Sequence, residues 1–334
     1  MSPRTLLRSL FAATAAAAAL TLTACGAVTA GDSAGSSDGS FKLAPYIQQR
    51  VDDHKPMRIK LSYHDPSLAF ATPIGAGMKR AGKELGADVS LIGPTGGDAA
   101  KQVSEIQTLI QQKAVDGLAV SSASSDALKP VISQAYKAGI PIISFNTDNP
   151  DSQQMGFVGQ DLKASGKAEA EQLLKDLKGT GKDKSVVVFS VDTGAGWSHD
   201  RFNGFKEGLA DSDLKVVGPV NVGNEPNAAY NTVESTMSGQ SGVVAVAGLD
   251  CCSTTAAGRA DAIAMGGFDL LTQTAEYIDR GVLDFTISQN PSEQGYQAVK
   301  VLYDFLTKGT EIAGVDTGAQ FITRKNLDAA TVED

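Results

Sequence analysis

The chain has 334 residues, with 29 Lys and Arg against 38 Asp and Glu and a formal net charge of −9. No basic cluster stands out from this acidic background, which argues against nucleic acid as a partner. The length is sufficient for two domains of ordinary size, and no apolar run after the N-terminal region is long enough to span a bilayer.

The N-terminus predicts an exported protein that carries a lipid. Arg4 and Arg8 precede a short apolar run, residues 10–22, as in a secretory signal peptide. The run ends in LTAC (22–25), which resembles a bacterial lipobox. The resemblance implies that residues 1–24 are removed and that Cys25 is lipidated, so that the protein is extracytoplasmic and anchored to the cell membrane. The alternative is an ordinary signal peptide followed by an incidental cysteine.

The segment after the signal is predicted to be a flexible tether, assigned to residues 25–54. GAVTAGDSAGSSDGS (26–40) is rich in Gly and Ser and cannot bury a core. The following stretch, FKLAPYIQQRVDDHK (41–55), is ambiguous between tether and an added helix.

From Met57 onward, short apolar runs alternate with segments of helical period, and the pattern starts again near the middle of the chain. The strands of the first half are predicted at MRIKLSY (57–63), ADVSLIG (87–93), GLAVS (117–121), IPIISF (140–145) and MGFVGQ (155–160). Those of the second half are predicted at SVVVFSV (185–191), LKVVGPV (214–220), GVVAVAG (242–248), AMGGFD (264–269) and LDFTISQ (283–289). This alternation predicts two α/β domains, each a doubly wound parallel sheet of Rossmann-like type, with a cleft between them.

Polar and aromatic side chains follow most of these strands, where ligands bind in open α/β sheets. Carboxylates and amides can bond neighbouring hydroxyl groups, and aromatic faces can cover a sugar ring, so the set suits a sugar or polyol. Helix capping and turn formation are the alternative roles for each Asp, Asn and Ser. The candidate ligand-binding residues are Tyr63, His64, Asp65, Phe70, Ser122, Asn146, Asp148, Trp197, His199, Asp250, Cys251, Cys252, Asp269 and Gln289.

Patterns that would indicate catalysis or a cofactor are weak. The three histidines have no metal-ligand spacing, and no G-x-S-x-G motif is present. GPTGGD (93–98) lacks the ending of a P-loop, and GAGWSH (194–199) lacks the third glycine of a dinucleotide fingerprint. We therefore expect no enzyme activity, no cofactor and no metal.

Several blocks resemble type I periplasmic binding proteins of the sugar-binding group, which includes ribose-binding proteins. The resemblance covers about residues 57–323, with LIQQKAVDGLAVSSASSDALKPVISQAYKAGIPIISFN (109–146) as its most specific block. DRFNGFKEGL, GGFD and RGVLDFTISQNPSEQGYQAVKVL follow in the same order. The resemblance implies a type I periplasmic binding protein fold with a three-strand hinge, crossed near Gln160-Asp161, Asn290-Pro291 and Asp316–Ala319. The N-terminal domain would then be 55–160 plus 290–317, and the C-terminal domain 161–289 plus 318–334.

The resemblance also implies ligand-binding roles for individual residues of this chain. Asp65 matches a polar ligand-binding residue before proline, and Phe70 is chosen as the stacking aromatic of the same loop. Asn146 stands where ribose binders have an aspartate, and His199 where they have an arginine, which puts ribose itself in doubt. The remaining carried-over positions are Asp269 and Gln289.

The resemblance implies a monomeric, lipid-anchored receptor that captures a simple sugar or polyol and delivers it to an ABC transporter permease. A receptor of the same fold for a nucleoside or a furanose-type signal is the alternative, and an exported hydrolase is a weaker one.

Cys251 and Cys252 are adjacent, and no other cysteine remains to pair with them if Cys25 is lipidated. Two free buried thiols and a strained disulfide between the neighbours are both open. In either state the pair is predicted to contact the ligand, because it follows a strand at the mouth of the cleft.

Overall fold

The computed structural model describes residues 41–177 and 183–332, so the predicted signal peptide and Cys25 lie outside the described residues. The strands are β1 (Arg58–Ser62), β2 (Asp88–Ile92), β3 (Gly117–Val120), β4 (Ile142–Phe145), β5 (Phe157–Gly159), β6 (Ser185–Ser190), β7 (Lys215–Asn221), β8 (Val243–Gly248), β9 (Ala264–Phe268), β10 (Phe285–Ser288), β11 (Val315–Asp316) and β12 (Gln320–Thr323). The helices are α1 (Pro45–Asp52), α2 (Ala71–Leu85), α3 (Ala99–Gln111), α4 (Ser125–Lys137), α5 (Leu162–Asp176), α6 (Gly196–Gly208), α7 (Pro226–Ser238), α8 (Cys251–Ala257), α9 (Thr272–Asp279) and α10 (Pro291–Lys308), with a short 3-10 helix at Leu327–Ala329. In this part of the chain, no helix combines the length and apolar character that crossing a membrane requires.

Two six-stranded sheets form two lobes with the same strand order. The first lobe has the order β11-β5-β4-β3-β1-β2, and the second has β12-β10-β9-β8-β6-β7. All pairs are parallel except β10 with β12, which is antiparallel. Each strand of the first sheet thus has a counterpart in the second, which makes β4 equivalent to β9.

Several central strands are buried along their whole length. All six residues of β6 and all five of β9 are buried, as expected for parallel strands covered by helices on both faces. Edge strands differ, because β7 begins at the exposed Lys215 and ends at the exposed Asn221. This burial requires the continuous apolar runs from which the strands were predicted.

Helix α1 corrects the predicted tether boundary at residue 54. Ile47 is fully buried in the core of the first lobe, and the Tyr46 hydroxyl donates to the Val115 carbonyl at 2.8 Å. Arg50 Nε also donates to the buried Asp116 carboxylate at 2.9 Å. Residues 41–54 are therefore part of the folded lobe, because an apolar side chain and a buried carboxylate hold the helix against it.

The chain passes between the sheets three times, after β5, after β10 and between β11 and β12. These segments are hydrogen-bonded to one another: Gln160 Nε2 donates to the Gly318 carbonyl at 3.0 Å, and Asn290 Nδ2 donates to the Thr317 carbonyl at 2.8 Å. The three crossings therefore form one connected strip beneath the cleft.

Candidate functional site

A cavity of about 50 Å³ lies between the lobes at the carboxyl ends of the strands. Both lobes contribute to it, and Cys251 and Leu271 of the second lobe pack in the same apolar cluster as Tyr63 and Phe70 of the first. The lobes therefore touch around the cavity. Its lining residues are Tyr63, His64, Leu68, Phe70, Asn146, Leu162, Val191, Trp197, Arg201, Asp250, Cys251, Cys252, Asp269 and Gln289.

The first lobe supplies an aromatic wall. The rings of Tyr63 and His64 have centroids 4.2 Å apart, and His64 Nδ1 lies 2.8 Å from Ser121 Oγ. Burial lowers the pKa of His64 to about 4, so the imidazole is neutral at physiological pH. Burial also raises the pKa of Tyr63 well above its ordinary value, so its hydroxyl remains protonated. The wall is therefore uncharged.

Asn146 and Asp269 occupy equivalent positions in the two lobes. Asn146 follows β4 with φ of 60°, and Asp269 follows β9 with φ of 69°. This left-handed conformation is unusual for residues other than Gly and is best tolerated by Asn and Asp. It directs two polar side chains into the cavity from opposite sides.

Of the carboxylates that line the cavity, Asp269 has the most free capacity to accept hydrogen bonds from a ligand. Gln289 Nε2 donates to its Oδ1 at 2.9 Å, and the Cys251 backbone N–H also bonds to its carboxyl group. Burial raises the pKa of Asp269 to about 6, although the nearby positive charge of Arg201 opposes this shift. A donor from a ligand would favour the ionised form.

Asp250 lines the cavity and also caps helix α8. Its Oδ1 accepts hydrogen bonds from the Cys252 and Ser253 backbone N–H groups at 3.0 and 2.9 Å. Its Oδ2 accepts from the Val191 backbone N–H at 3.0 Å and from Ser253 Oγ at 2.8 Å. The capping role and the cleft position thus coincide in one residue.

Arg201 is the principal lining residue that the sequence analysis missed. Its side chain is buried, with Nη1 donating to the Leu249 carbonyl at 2.7 Å and Nη2 to Gln160 Oε1 at 3.3 Å. Its guanidinium lies 3.8 Å from the centroid of the Phe268 ring. The signal was present, because the DRFNGF block contains this arginine. Leu68, Leu162 and Val191 are further lining residues that were not predicted.

His199, predicted for the arginine position, lies outside the cavity. It is exposed, and its Nε2 is 2.8 Å from the Thr193 carbonyl. The physical reason is helical geometry: residues two apart on a helix point about 200° away from each other, so only one of His199 and Arg201 can face the cleft.

Three other predicted residues also lie outside the cavity. Asp65 is buried in a turn, where it accepts hydrogen bonds from the Ser67 backbone N–H and hydroxyl at 3.0 and 2.5 Å. Ser122 accepts from Asn149 Nδ2 at 3.3 Å. Asp148 accepts from Gln154 Nε2 at 2.5 Å and lines a separate cavity of about 640 Å³. In the structure these three side chains stabilise loops, which is the alternative role that the sequence analysis gave for Asp, Asn and Ser.

Cys251 and Cys252 are free thiols in the structure, and the disulfide between them is not formed. Their Sγ atoms lie 3.3 Å apart, and the hydrogen bond with Cys252, together with burial, raises the pKa of Cys251 well above its ordinary value. Together with Asp250 they place three possible metal ligands within 4.8 Å of one another. Both Asp250 oxygens already accept hydrogen bonds, so the group offers little free capacity for a metal.

Comparisons with known proteins agree with this architecture. A family model described as a periplasmic binding protein domain matches residues 59–311. The xylose/arabinose-binding protein XylF of Sulfolobus acidocaldarius is 28% identical over 329 residues, which cover 90% of this chain and 80% of that protein. The ribose import binding protein RbsB of Bacillus subtilis is 25% identical over 192 residues, covering 58% and 61%.

The solved structures confirm the predicted fold class. An ABC transporter solute binding protein from Burkholderia graminis, solved with D-arabinose, is similar with a TM-score of 0.77 at 23% identity, covering 82% of this chain and 98% of that one. The glucose-galactose binding protein GanP from Geobacillus stearothermophilus is similar with a TM-score of 0.74, also at 23% identity, covering 82% and 99%.

Proposed function

The chain belongs to the periplasmic binding protein domain family, and on that premise we propose that its cleft captures a simple sugar or polyol for an ABC importer. Family membership also agrees with the expectation of a binding protein rather than an enzyme.

The observation that carries the proposal is the composition of the cavity. Asp269 accepts hydrogen bonds, Arg201 donates them, and Asn146 and Gln289 can do both, so the set matches the hydroxyl groups of a sugar. Tyr63, Phe70 and Trp197 add aromatic faces that suit the C–H faces of a sugar ring. A monosaccharide presents both kinds of surface at once.

The size of the cavity favours one small ring. Its volume of about 50 Å³ has room for the centres of roughly four waters. The hydroxyl groups of a single monosaccharide can replace such waters, whereas a disaccharide would require the lobes to separate. Two relatives are named for xylose, arabinose and ribose, which supports a pentose.

Closure follows from the placement of the polar groups on both lobes. A sugar that bonds Asn146 of the first lobe and Asp269 of the second is bound more tightly when the lobes are together, so it shifts the equilibrium toward the closed form. The three crossings provide the hinge. Hinge closure around a ligand is a known property of periplasmic binding proteins as a class.

Calorimetry with D-xylose, L-arabinose, D-ribose, D-galactose and xylitol tests the proposal. We expect one of them to bind with a dissociation constant in the micromolar range, about −8 kcal/mol. Binding of a nucleoside with no response to any of the five would replace sugar with the alternative ligand class.

Delivery to a permease and lipid anchoring are further parts of the proposal. They are supported by the family and by LTAC (22–25) in the sequence. In the native host, Cys25→Ser should move the protein from the membrane fraction to the soluble extracytoplasmic fraction. Equal membrane association of the variant and the unmodified chain would contradict the anchor.

A further inference from the structure

The Cys251–Cys252 pair lies between the ligand cleft and a second cavity. Cys252 lines both the cleft and a cavity of about 190 Å³. Asn224 and Pro226, which are exposed, also line this second cavity, so it opens to the protein surface. A small reagent can therefore approach Cys252 from outside while the lobes are together.

Each cysteine also supports a carboxylate of the cleft through its backbone. The Cys251 N–H bonds to the carboxyl group of Asp269, and the Cys252 N–H donates to Asp250 Oδ1 at 3.0 Å. The backbone of the cysteine pair is therefore part of what positions both carboxylates.

We propose that Cys251 and Cys252 form a reversible redox site, in which a low-molecular-weight disulfide converts the two thiols into a vicinal disulfide that weakens ligand binding. The inference rests on the proposed function only for its effect on sugar affinity. The oxidation itself is independent of it.

The reaction balances as two thiol–disulfide exchanges. The sulfur of Cys252, as thiolate, attacks one sulfur of the external disulfide, and the departing thiolate takes up the proton that Cys252 lost. Cys251 Sγ, 3.3 Å away, then attacks Cys252 Sγ and displaces the second thiolate, which takes up the proton of Cys251. Two protein thiols are oxidised, and one external disulfide is reduced to two thiols.

The two thiols differ in accessibility, and this difference determines which of them attacks the external disulfide first. Cys251 is buried and its pKa is raised, whereas Cys252 is half-buried and lines the surface cavity. A protonated, buried thiol reacts slowly with external reagents. Cys252 is therefore the first to react, and Cys251 completes the ring.

Ring closure disturbs the cleft because the sulfurs must approach from 3.3 Å to about 2.05 Å. Neighbouring Cα atoms are closer than in ordinary disulfides, so the backbone of the pair must distort. The distortion falls on the N–H groups that bond Asp250 and Asp269. We expect sugar affinity to fall by about tenfold or more, the effect of disturbing buried hydrogen bonds.

The test compares the full folded protein in dithiothreitol with the same protein equilibrated with glutathione disulfide. We expect the oxidised, denatured protein to take up no iodoacetamide at Cys251 and Cys252 and to have lost two hydrogen atoms by intact mass. Trp197 is the only tryptophan of the chain and lines the cleft, so its emission should shift on oxidation and return on reduction. Calorimetry with D-xylose, L-arabinose and D-ribose should show weaker binding by the oxidised form.

Single variants serve as controls. Cys251→Ser should stop at a mixed disulfide with glutathione, and Cys252→Ser should remain unmodified. Whatever the affinity of Cys251→Ser/Cys252→Ser, it should be the same before and after glutathione disulfide.

Two alkylated thiols in the treated wild type would overturn the proposal. So would a disulfide that changes neither Trp197 emission nor affinity. If the reduced protein binds none of the three sugars, the pentose proposal is affected, and Trp197 emission still decides the redox inference.

Discussion

Arg201 illustrates how one buried side chain can connect the cavity to the crossings between the lobes. Its guanidinium packs on Phe268 and donates to the Leu249 carbonyl, and it also reaches Gln160, whose amide donates to Gly318 in another crossing. A fork of donors is needed for these contacts, and lysine cannot reproduce it.

We predict that Arg201→Lys weakens sugar binding by about 1–3 kcal/mol, because buried acceptors lose their donors. Calorimetry on the folded variant measures the effect. His199→Gln is the matched control on the same helix, and it should change affinity by less than about 0.5 kcal/mol because its side chain is exposed. A larger loss of sugar affinity in His199→Gln than in Arg201→Lys would identify His199, and not Arg201, as the ligand-binding residue of this helix.

Asp269 imposes a pH dependence on stability. Burial raises its pKa from 3.8 to about 6 in the folded protein. Because the protonated form is favoured on folding, stability is highest below pH 4 for this group and falls as pH rises to about 6, by up to about 3 kcal/mol. Glu169, fully buried with its pKa raised well above its ordinary value by burial, acts in the same direction.

We therefore predict that Asp269→Asn makes the sugar-free protein more stable at pH 7 than wild type, and that the difference narrows toward pH 4. Urea unfolding of both proteins across this range isolates Asp269, since Glu169 is common to both. A difference that is constant with pH would contradict the raised pKa.

The strand-end rule predicted most of the residues that line the cavity, but it missed Arg201, which lies beyond the first turn of its helix. Asn146, Asp250, Asp269 and Gln289 all follow strands, and the structure places each of them in the cavity. Arg201 projects from within α6, and strand ends carry no information on which face of a helix turns inward. Asp65, although at a strand end, is instead held in its own turn by Ser67.

At the level of elements, helix α10 connects the two sides of the cleft through Gln294. Gln294 Oε1 accepts from Asn146 Nδ2 at 3.1 Å, and its Nε2 donates to the Gln289 carbonyl at 3.0 Å. Gln289 in turn donates to Asp269 at 2.9 Å. A chain of buried amides thus runs from the first lobe, through a crossing, to the second.

We predict that Gln294→Met lowers the free energy of unfolding by about 1–3 kcal/mol, because Asn146 Nδ2 and the Gln289 carbonyl lose a partner in a buried place. Gln297→Met on the same helix is the control, since its amide bonds only Glu293 among the described residues and is half-buried. Chemical denaturation compares the two. Equal losses would show that the amide chain contributes nothing specific.

The shortest strands and the N-terminal helix could not be predicted clearly from the sequence. β11 has only two residues, and only one of the four residues of β12 is buried, so neither strand has a continuous apolar run. The third crossing was therefore expected only from the family resemblance. Helix α1 was ambiguous because its burial depends on Ile47 alone. Its ion pair with Asp116, far along the chain, could not be anticipated from local sequence.

At the scale of the whole molecule, the repeated strand order explains why the site lies between the lobes. Each sheet directs its strand ends toward the same cleft, and β4 and β9 deliver Asn146 and Asp269 to matching positions. The three crossings also form one hydrogen-bonded strip between the lobes. We therefore expect binding and closure to be one process in this fold.

Small-angle X-ray scattering, with and without the sugar that binds most tightly in calorimetry, tests the central claim that a sugar is held by lobes that close on it. We predict that the radius of gyration falls on addition of sugar, because we expect the lobes to separate in the free protein and to be drawn together by ligand contacts from both sides. An unchanged scattering profile at saturating sugar would contradict closure around the ligand.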